Sequence, residues 1–206
     1  MRPEVAALKL KVTPTVMTPS VFAAIADAET APGIAAEIEL PSRKRDGSLV
    51  LLEGVQDPGN VGAIIRSAAA FGVGTVVLDR QSADPWSPKV LRAGQGGHFA
   101  LAVRQVDDLL PAAEGRRLIC TVVQGGRPLR DADLSGAIAW AFGAEGAGLS
   151  ADLVAKAAER VTIPMAGGES LNVAATAAIC LYQAFAGSPP SPGRQPGRPN
   201  TPAAGS

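Results

Sequence analysis

"SLVLLEGVQDPGNVGAIIRSAAAFGVGTVVLD", residues 48–79, reads as strand, turn, helix and strand in succession. "SLVLLEGV" is a short apolar run of strand length, and "DPGNVG" puts proline and glycine in turn positions. "AIIRSAAAFG" predicts a helix ending at Gly72, and "TVVLD" a second buried strand. Two apolar strands joined by a helix are the βαβ unit of a parallel sheet. The rhythm continues downstream. "SPKVLRA" predicts a short helix, "FALAV" a strand, "VDDLLPAAE" a helix, and "RRLICTVV" and "AIAWAFG" strands. "SADLVAKAAE" predicts a helix, "RVTIP" the last strand, and residues 171–186 a closing helix that is apolar nearly all round. The expected fold is α/β, a mainly parallel sheet with helices on both faces.

Composition bounds the function. The 206 residues are 47% apolar and 18% charged, enough to bury a core. No apolar run reaches the roughly 18 residues of a membrane span. The N-terminus lacks a basic-then-apolar leader pattern, so no membrane association and a cytoplasmic location are expected. The 19 basic and 19 acidic residues cancel, which disfavours a general polyanion binder. Local clusters at Arg43-Lys44-Arg45, Arg116-Arg117 and Arg127/Arg130 remain candidates for RNA contact, beside the plainer reading of a solvated surface. Cys120 and Cys180 are far apart and lack ligand spacing; with His98 as the lone histidine, no metal site is expected. Both cysteines read as small core residues and His98 as structural or surface.

Outside the α/β rhythm lie two segments. The tail 187–206, "GSPPSPGRQPGRPNTPAAGS", has almost nothing to bury and reads as disordered. "SVFAAIADAETAPGIAAEIELP" (20–41) predicts a short helix, a Pro-Gly turn and a strand, too little for a domain. The expected division is an N-terminal remnant at 1–46, a catalytic domain at 47–187 and a tail at 188–206.

Ligands of parallel sheets sit at the C-terminal strand ends. Three loops that follow strands are rich in glycine and polar residues: "EGVQDPGNVGAIIR" (53–66), "FGAEGAGLS" (142–150) and "IPMAGGESLN" (163–172). Phosphate-cradling motifs are missing. No Walker A occurs, and "GVGTVVLD" (72–79) runs from helix to strand, the reverse of a dinucleotide fingerprint. An NTPase or nicotinamide enzyme is therefore disfavoured. In the loops themselves, Asn60 carries both amide donors and an acceptor. Arg66 follows six residues on, within an Ala/Ile helix where a charge needs pairing or solvent. Glu145 stands among glycines with no turn-forming purpose, and pairing with Arg66 is an evident option. Ser170, taken alone, reads as the N-cap of the last helix. Asn172 and the partner loops are left over by that reading.

Together, "DPGNVGAIIRSAAAFG", "FGAEGAGLS" and "IPMAGGESLNVAATAAICLYQ" resemble, in order and spacing, the three motifs of the SpoU (TrmH-like) RNA methyltransferases of the SPOUT superfamily, over residues 48–186. The resemblance implies transfer of a methyl group from S-adenosyl-L-methionine to a ribose 2′-hydroxyl of structured RNA, rRNA or tRNA, commonly at guanosine. It also implies a C-terminal deep trefoil knot and a homodimer. Carried over by motif, Asn60, Arg66, Glu145, Ser170 and Asn172 take the catalytic or site-shaping positions. Thr121, Val122, Val123, Gly143, Glu145, Ile163, Met165, Ser170 and Leu171 take the cofactor positions, and no metal is implied. Ala144 departs from the small polar residue or asparagine of many members, and the N-terminus resembles only the last portion of their recognition domain.

Glycine-rich loops suit such a site because backbone groups can approach a ligand closely. Arg66 suits a phosphate or hydroxyl positioner better than a base, since guanidinium hardly deprotonates. The alternative is a homologue that binds cofactor or RNA with weak catalysis because its recognition domain is incomplete. An all-apolar final helix needs covering on every side, which one sheet cannot supply, so a second subunit is expected.

Overall fold

The apolar run of the opening strand lies in the interior of a seven-stranded sheet in the computed structural model, which describes Val5, Leu10 and residues 12–26, 33–41, 47–168 and 170–186. In chain order the elements are α1 (Pro19–Ile25), β1 (Leu49–Glu53), α2 (Pro58–Ala70), β2 (Thr75–Asp79), α3 (Pro88–Gly94) and β3 (Ala102–Val106). There follow β4 (Arg117–Thr121), β5 (Arg127–Pro128), β6 (Ile138–Gly143), α4 (Ala151–Lys156), β7 (Glu159–Thr162) and α5 (Val173–Ala186). The strand order is β3-β2-β1-β6-β4-β7-β5 and every pairing is parallel.

Burial on both faces explains the unbroken apolar composition of β1. Val50 and Leu52 point into one layer with Ile64 and Ile65 of α2 and Ala177, Cys180 and Leu181 of α5. Leu49 and Leu51 point into the other with Leu109, Ala113 and Leu153 of α4. Helices thus cover both faces, as expected. The chain winds outward from β1 to β3 and then crosses back, so the order reverses at β1. That reversal opens a crevice at the C-terminal strand ends.

Several expectations need correction. α2 does not wait for Ala63: Pro58 occupies a first-turn position and Asp57 Oδ1 accepts the Asn60 N–H at 2.8 Å, so "DPGNVG" is the helix start. Gly62 is then a helix contact, since a Cβ there would lie 2.4 Å from Ala93 Cβ and 2.7 Å from the Val90 carbonyl oxygen of α3. The helix expected at 106–114 is a single 3-10 turn, Leu110–Ala113. Pro111 cannot donate to a preceding carbonyl, and Glu114 already leaves the helical region. α1 forms as expected, but 33–41 makes no strand ladder among the described residues and leaves Ile34, Ile38 and Leu40 exposed. An alternating pattern becomes a strand only beside a sheet edge. Conversely β5 is two residues long, too short for any periodicity to reveal. Pro32 of the expected Pro-Gly turn, the Arg43-Lys44-Arg45 cluster and the tail lie outside the described residues. Among those described, no helix is long and apolar enough to cross a membrane.

Both cysteines are core residues: burial, helped at Cys120 by the Glu53 charge, pushes the Cys120 thiol up to about 11, and burial pushes Cys180 up to about 12. His98 is only 1% exposed, tilted against Trp86 at 5.2 Å, with Nε2–H donating to the Pro85 carbonyl at 2.8 Å. Burial holds the imidazole below its ordinary 6.5, opposed in part by that carbonyl bond. A depressed folded-state pKa adds stability that is present above 6.5 and lost as pH falls through the folded value. The Tm of the wild type is expected to fall more steeply than that of His98→Gln between about pH 7 and about pH 5, as read by circular dichroism.

Candidate functional site

The C-terminal ends of β1, β6 and β7 carry the three expected loops to one place, beside the end of β4. The first loop is set by Asp79, whose carboxylate accepts the Gly54 N–H at 3.1 and 3.0 Å and the Ser82 N–H at 2.8 Å. This delivers the chain to the Asp57 cap, and Asn60 stands in the first turn of α2.

The second loop folds back on itself. The Gly148 N–H donates to the Ala144 carbonyl at 2.9 Å, and Gly146 and Gly148 have φ of +89° and +70°. Gly143 touches this hairpin so closely that a Cβ would lie 2.2 Å from the Gly148 carbonyl carbon. The loop's exit is tied to β1, where Glu53 Oε2 accepts the Ser150 N–H at 2.7 Å. The third loop leads from β7 into α5 and ends at Asn172.

These loops meet in a polar junction. Glu145 Oε1 accepts from Asn60 Nδ2 at 2.6 Å and from Asn172 Nδ2 at 3.0 Å. Asn172 Nδ2 also reaches Asn60 Oδ1 at 3.0 Å. The other end of the Asn172 amide is occupied too: Oδ1 accepts the N–H groups of Ala174 at 2.9 Å and Ala175 at 3.2 Å. Asn172, not Ser170, caps α5. One side chain thus anchors a helix and joins all three loops. Asn172→Ala is expected to lower stability by about 1–2 kcal/mol in urea titration, from the lost cap and the weakened carboxylate contact.

Beside the junction opens a cavity of about 690 Å³, within the range of ligand sites. Thr121, Val122, Val123, Gly143, Glu145, Ile163, Met165, Ser170 and Leu171 all line it, as does Asn172. Ser170 makes no hydrogen bond among the described residues and is exposed. Thr121 is held by its hydroxyl donating to the Ala141 carbonyl at 3.0 Å. Leu149, Val154 and Thr176 also line the cavity without having been singled out in the sequence, Val154 and Thr176 from within α4 and α5.

Arg66 is the exception. It is exposed, lies off the cavity wall, and pairs with no group among the described residues. The anticipated Arg66–Glu145 pair does not form. Because α2 starts at Pro58, Arg66 lies six helical positions beyond Asn60, a rotation of about 240° and a rise of about 9 Å. Asn60 and Asn172 satisfy Glu145 instead.

Residues 47–182 match the SpoU rRNA Methylase family. The chain belongs to this family. Among its SpoU relatives, the 23S rRNA (guanosine(2553)-2′-O)-methyltransferase of Bacillus subtilis (strain 168) is 39% identical over 170 residues, 78% of this chain and 68% of the relative. A TrmH-family structure from Porphyromonas gingivalis shares the fold at TM-score 0.69 with 32% identity, over 79% of this chain and 69% of that one. The SpoU methyltransferase AviRb from Streptomyces viridochromogenes, solved in complex with the cofactor AdoMet, gives TM-score 0.63 and 36% identity over 72% and 62%. The chain spans about two thirds of the length of each. In this SpoU chain the matched segment contains the junction and the whole cavity wall.

Proposed function

We propose that this chain is an S-adenosyl-L-methionine-dependent RNA 2′-O-ribose methyltransferase that acts on ribosomal RNA or tRNA at a guanosine. The observation that carries the reading is one cavity lined by two glycine-rich strand-end loops and the end of β4, with the third loop joined to them at its side through the Asn60–Glu145–Asn172 junction. Membership of the SpoU family gives that geometry its chemistry.

The residues present fit the methyl donor. Gly143 keeps the wall open where a Cβ would push the 144–148 hairpin aside. Val161, Ile163 and Leu149 offer an apolar lining for an adenine, while the backbone of 121–123 and 143–145 offers donors and acceptors. Thr121, Val122, Val123, Gly143, Ile163, Met165 and Leu171 would hold the cofactor, with Glu145 and Ser170 at its polar end. When bound, S-adenosylmethionine supplies an electrophilic methyl group.

The chain's own residues orient the acceptor. Glu145 fixes Asn60 and Asn172, and these amides hold the junction rigid, so a ribose hydroxyl brought there meets preset partners rather than water. Ser170, with no hydrogen-bond partner among the described residues, offers a hydroxyl to the same pocket. Arg66 stays in solvent, its guanidinium suited to grip an RNA phosphate by a charge-assisted bond and so position the hydroxyl. Calorimetric titration with S-adenosylmethionine, NAD and ATP tests this reading: heat with the methyl donor alone is expected, and no heat with it defeats the proposal.

Two finer points belong to the same reading. The C-terminal path is read as a deep trefoil knot; in support, β7 inserts between β4 and β5, and the following segment returns α5 against α2. A homodimer is read from α5. Val173, Ala177 and Leu181 are buried, whereas Phe185, one turn beyond Leu181, is 39% exposed with Ile179 at 41% and Tyr182 at 59%. Phe71 extends this patch, 6.0 Å from Tyr182 and 5.9 Å from Phe185. Sedimentation of the wild type is expected to give a dimer and Tyr182→Asp a monomer.

A further inference from the structure

Thr162 ends β7 and does not itself line the cavity, yet its hydroxyl bonds both ends of the loop that forms one side of it. Its Oγ donates to the Val122 carbonyl at 3.0 Å and accepts the Gly126 N–H at 3.1 Å. The Val122 N–H is fixed in turn by the Val161 carbonyl at 2.9 Å. Between those anchors the chain turns through Gly125 at φ +74° and presents Val122 and Val123 to the cavity, Val123 with 53% of its surface exposed.

The far anchor has no slack. A Cβ on Gly126 would lie 2.6 Å from Thr162 Oγ and 2.7 Å from the Val161 carbonyl carbon, so glycine is what lets the loop lie against β7. A hydroxyl can donate once and accept at the same time, and here one side chain uses both capacities on two backbone groups four residues apart. Without it, the part-buried Gly126 N–H and the Val122 carbonyl would each lose a partner.

We infer that Thr162 is a positioning residue for the methyl donor: its hydroxyl staples the 122–126 loop to β7 and so sets the wall that Val122 and Val123 present. The inference rests on reading the cavity as the donor site. Serine can repeat both bonds, whereas valine keeps the shape and can make neither.

The test compares full-length wild type, Thr162→Val and Thr162→Ser by calorimetric titration with S-adenosylmethionine and by initial rates of methyl transfer to ribosomal RNA. Thr162→Val is expected to raise the donor's Kd and KM about tenfold, the scale of one or two lost backbone bonds, with kcat at saturating donor within about twofold of wild type. Thr162→Ser is expected to restore both constants. Loss of kcat in Thr162→Val with Kd and KM unmoved would mean a merely structural role and overturn the assignment, as would wild-type constants in that variant. A wild type that does not bind the donor overturns the reading of the cavity itself, and this assignment with it.

Discussion

Alanine at position 143 is expected to weaken S-adenosylmethionine binding by about a hundredfold in calorimetric titration, an overpacking cost near the top of about 1–3 kcal/mol. The added Cβ would lie 2.2 Å from the Gly148 carbonyl carbon, 2.3 Å from its oxygen and 2.4 Å from the Leu149 nitrogen. These are backbone atoms and cannot rotate away as a side chain would. The hairpin must shift, taking with it the Gly148–Ala144 bond at 2.9 Å and Glu145 within the loop. Because Gly143 and Gly148 both line the cavity, the wall changes shape at the same time. The global fold is expected to persist, since the buried strand residues of β6 precede the clash. Unchanged donor affinity in folded Gly143→Ala would show that this loop is not the donor wall.

Arg66→Ala acts on the other half of the reaction. The guanidinium is exposed and off the cavity wall, so donor affinity is expected to stay within about twofold while kcat for methyl transfer falls by about 10²–10³, the scale of a lost charged positioning contact. Single-turnover rates at saturating donor and RNA separate that loss from weaker RNA binding. Arg66→Lys keeps the charge without the fork and is expected to recover only part of the rate. Full activity in Arg66→Ala would remove the residue from the reaction. Taken together, the two variants distinguish an active enzyme from a cofactor-binding homologue, because only an enzyme shows the Arg66 effect with donor binding intact.

The sheet and the cavity were legible in the sequence for one physical reason. Strands buried on both faces must be uniformly apolar, so glycine and polar residues crowd at their ends, where "FGAEGAGLS" and "IPMAGGESLN" stand out. The residues to which the resemblance gives cofactor positions lie along one cavity. What escaped was set by single hydrogen bonds. The start of α2 depends on Asp57 capping Asn60, and that cap decides where Arg66 points. Taking "DPGNVG" for a turn left the Arg66–Glu145 pair open, and the true helix start closes it.

Ser170 and Asn172 were similarly ambiguous. Both residue types cap helices, and only the placement of α5 shows that the Asn172 oxygen meets Ala174 and Ala175. Glu53 had one signal, a carboxylate ending an apolar strand, and its partner Ser150 is 97 residues away, beyond any local pattern. Thr162 had no signal. Its neighbours in "RVTIP" read as strand, and its two bonds reach across to residues 36 and 40 positions earlier.

The central claim, methyl transfer to a ribose oxygen of RNA, is tested most directly by one measurement. Purified chain is incubated with methyl-labelled S-adenosylmethionine and total ribosomal RNA or tRNA, and the RNA is digested to nucleosides and resolved by mass. The account predicts label in 2′-O-methylguanosine. Label on a base, or none in any nucleoside while the donor demonstrably binds, would contradict it.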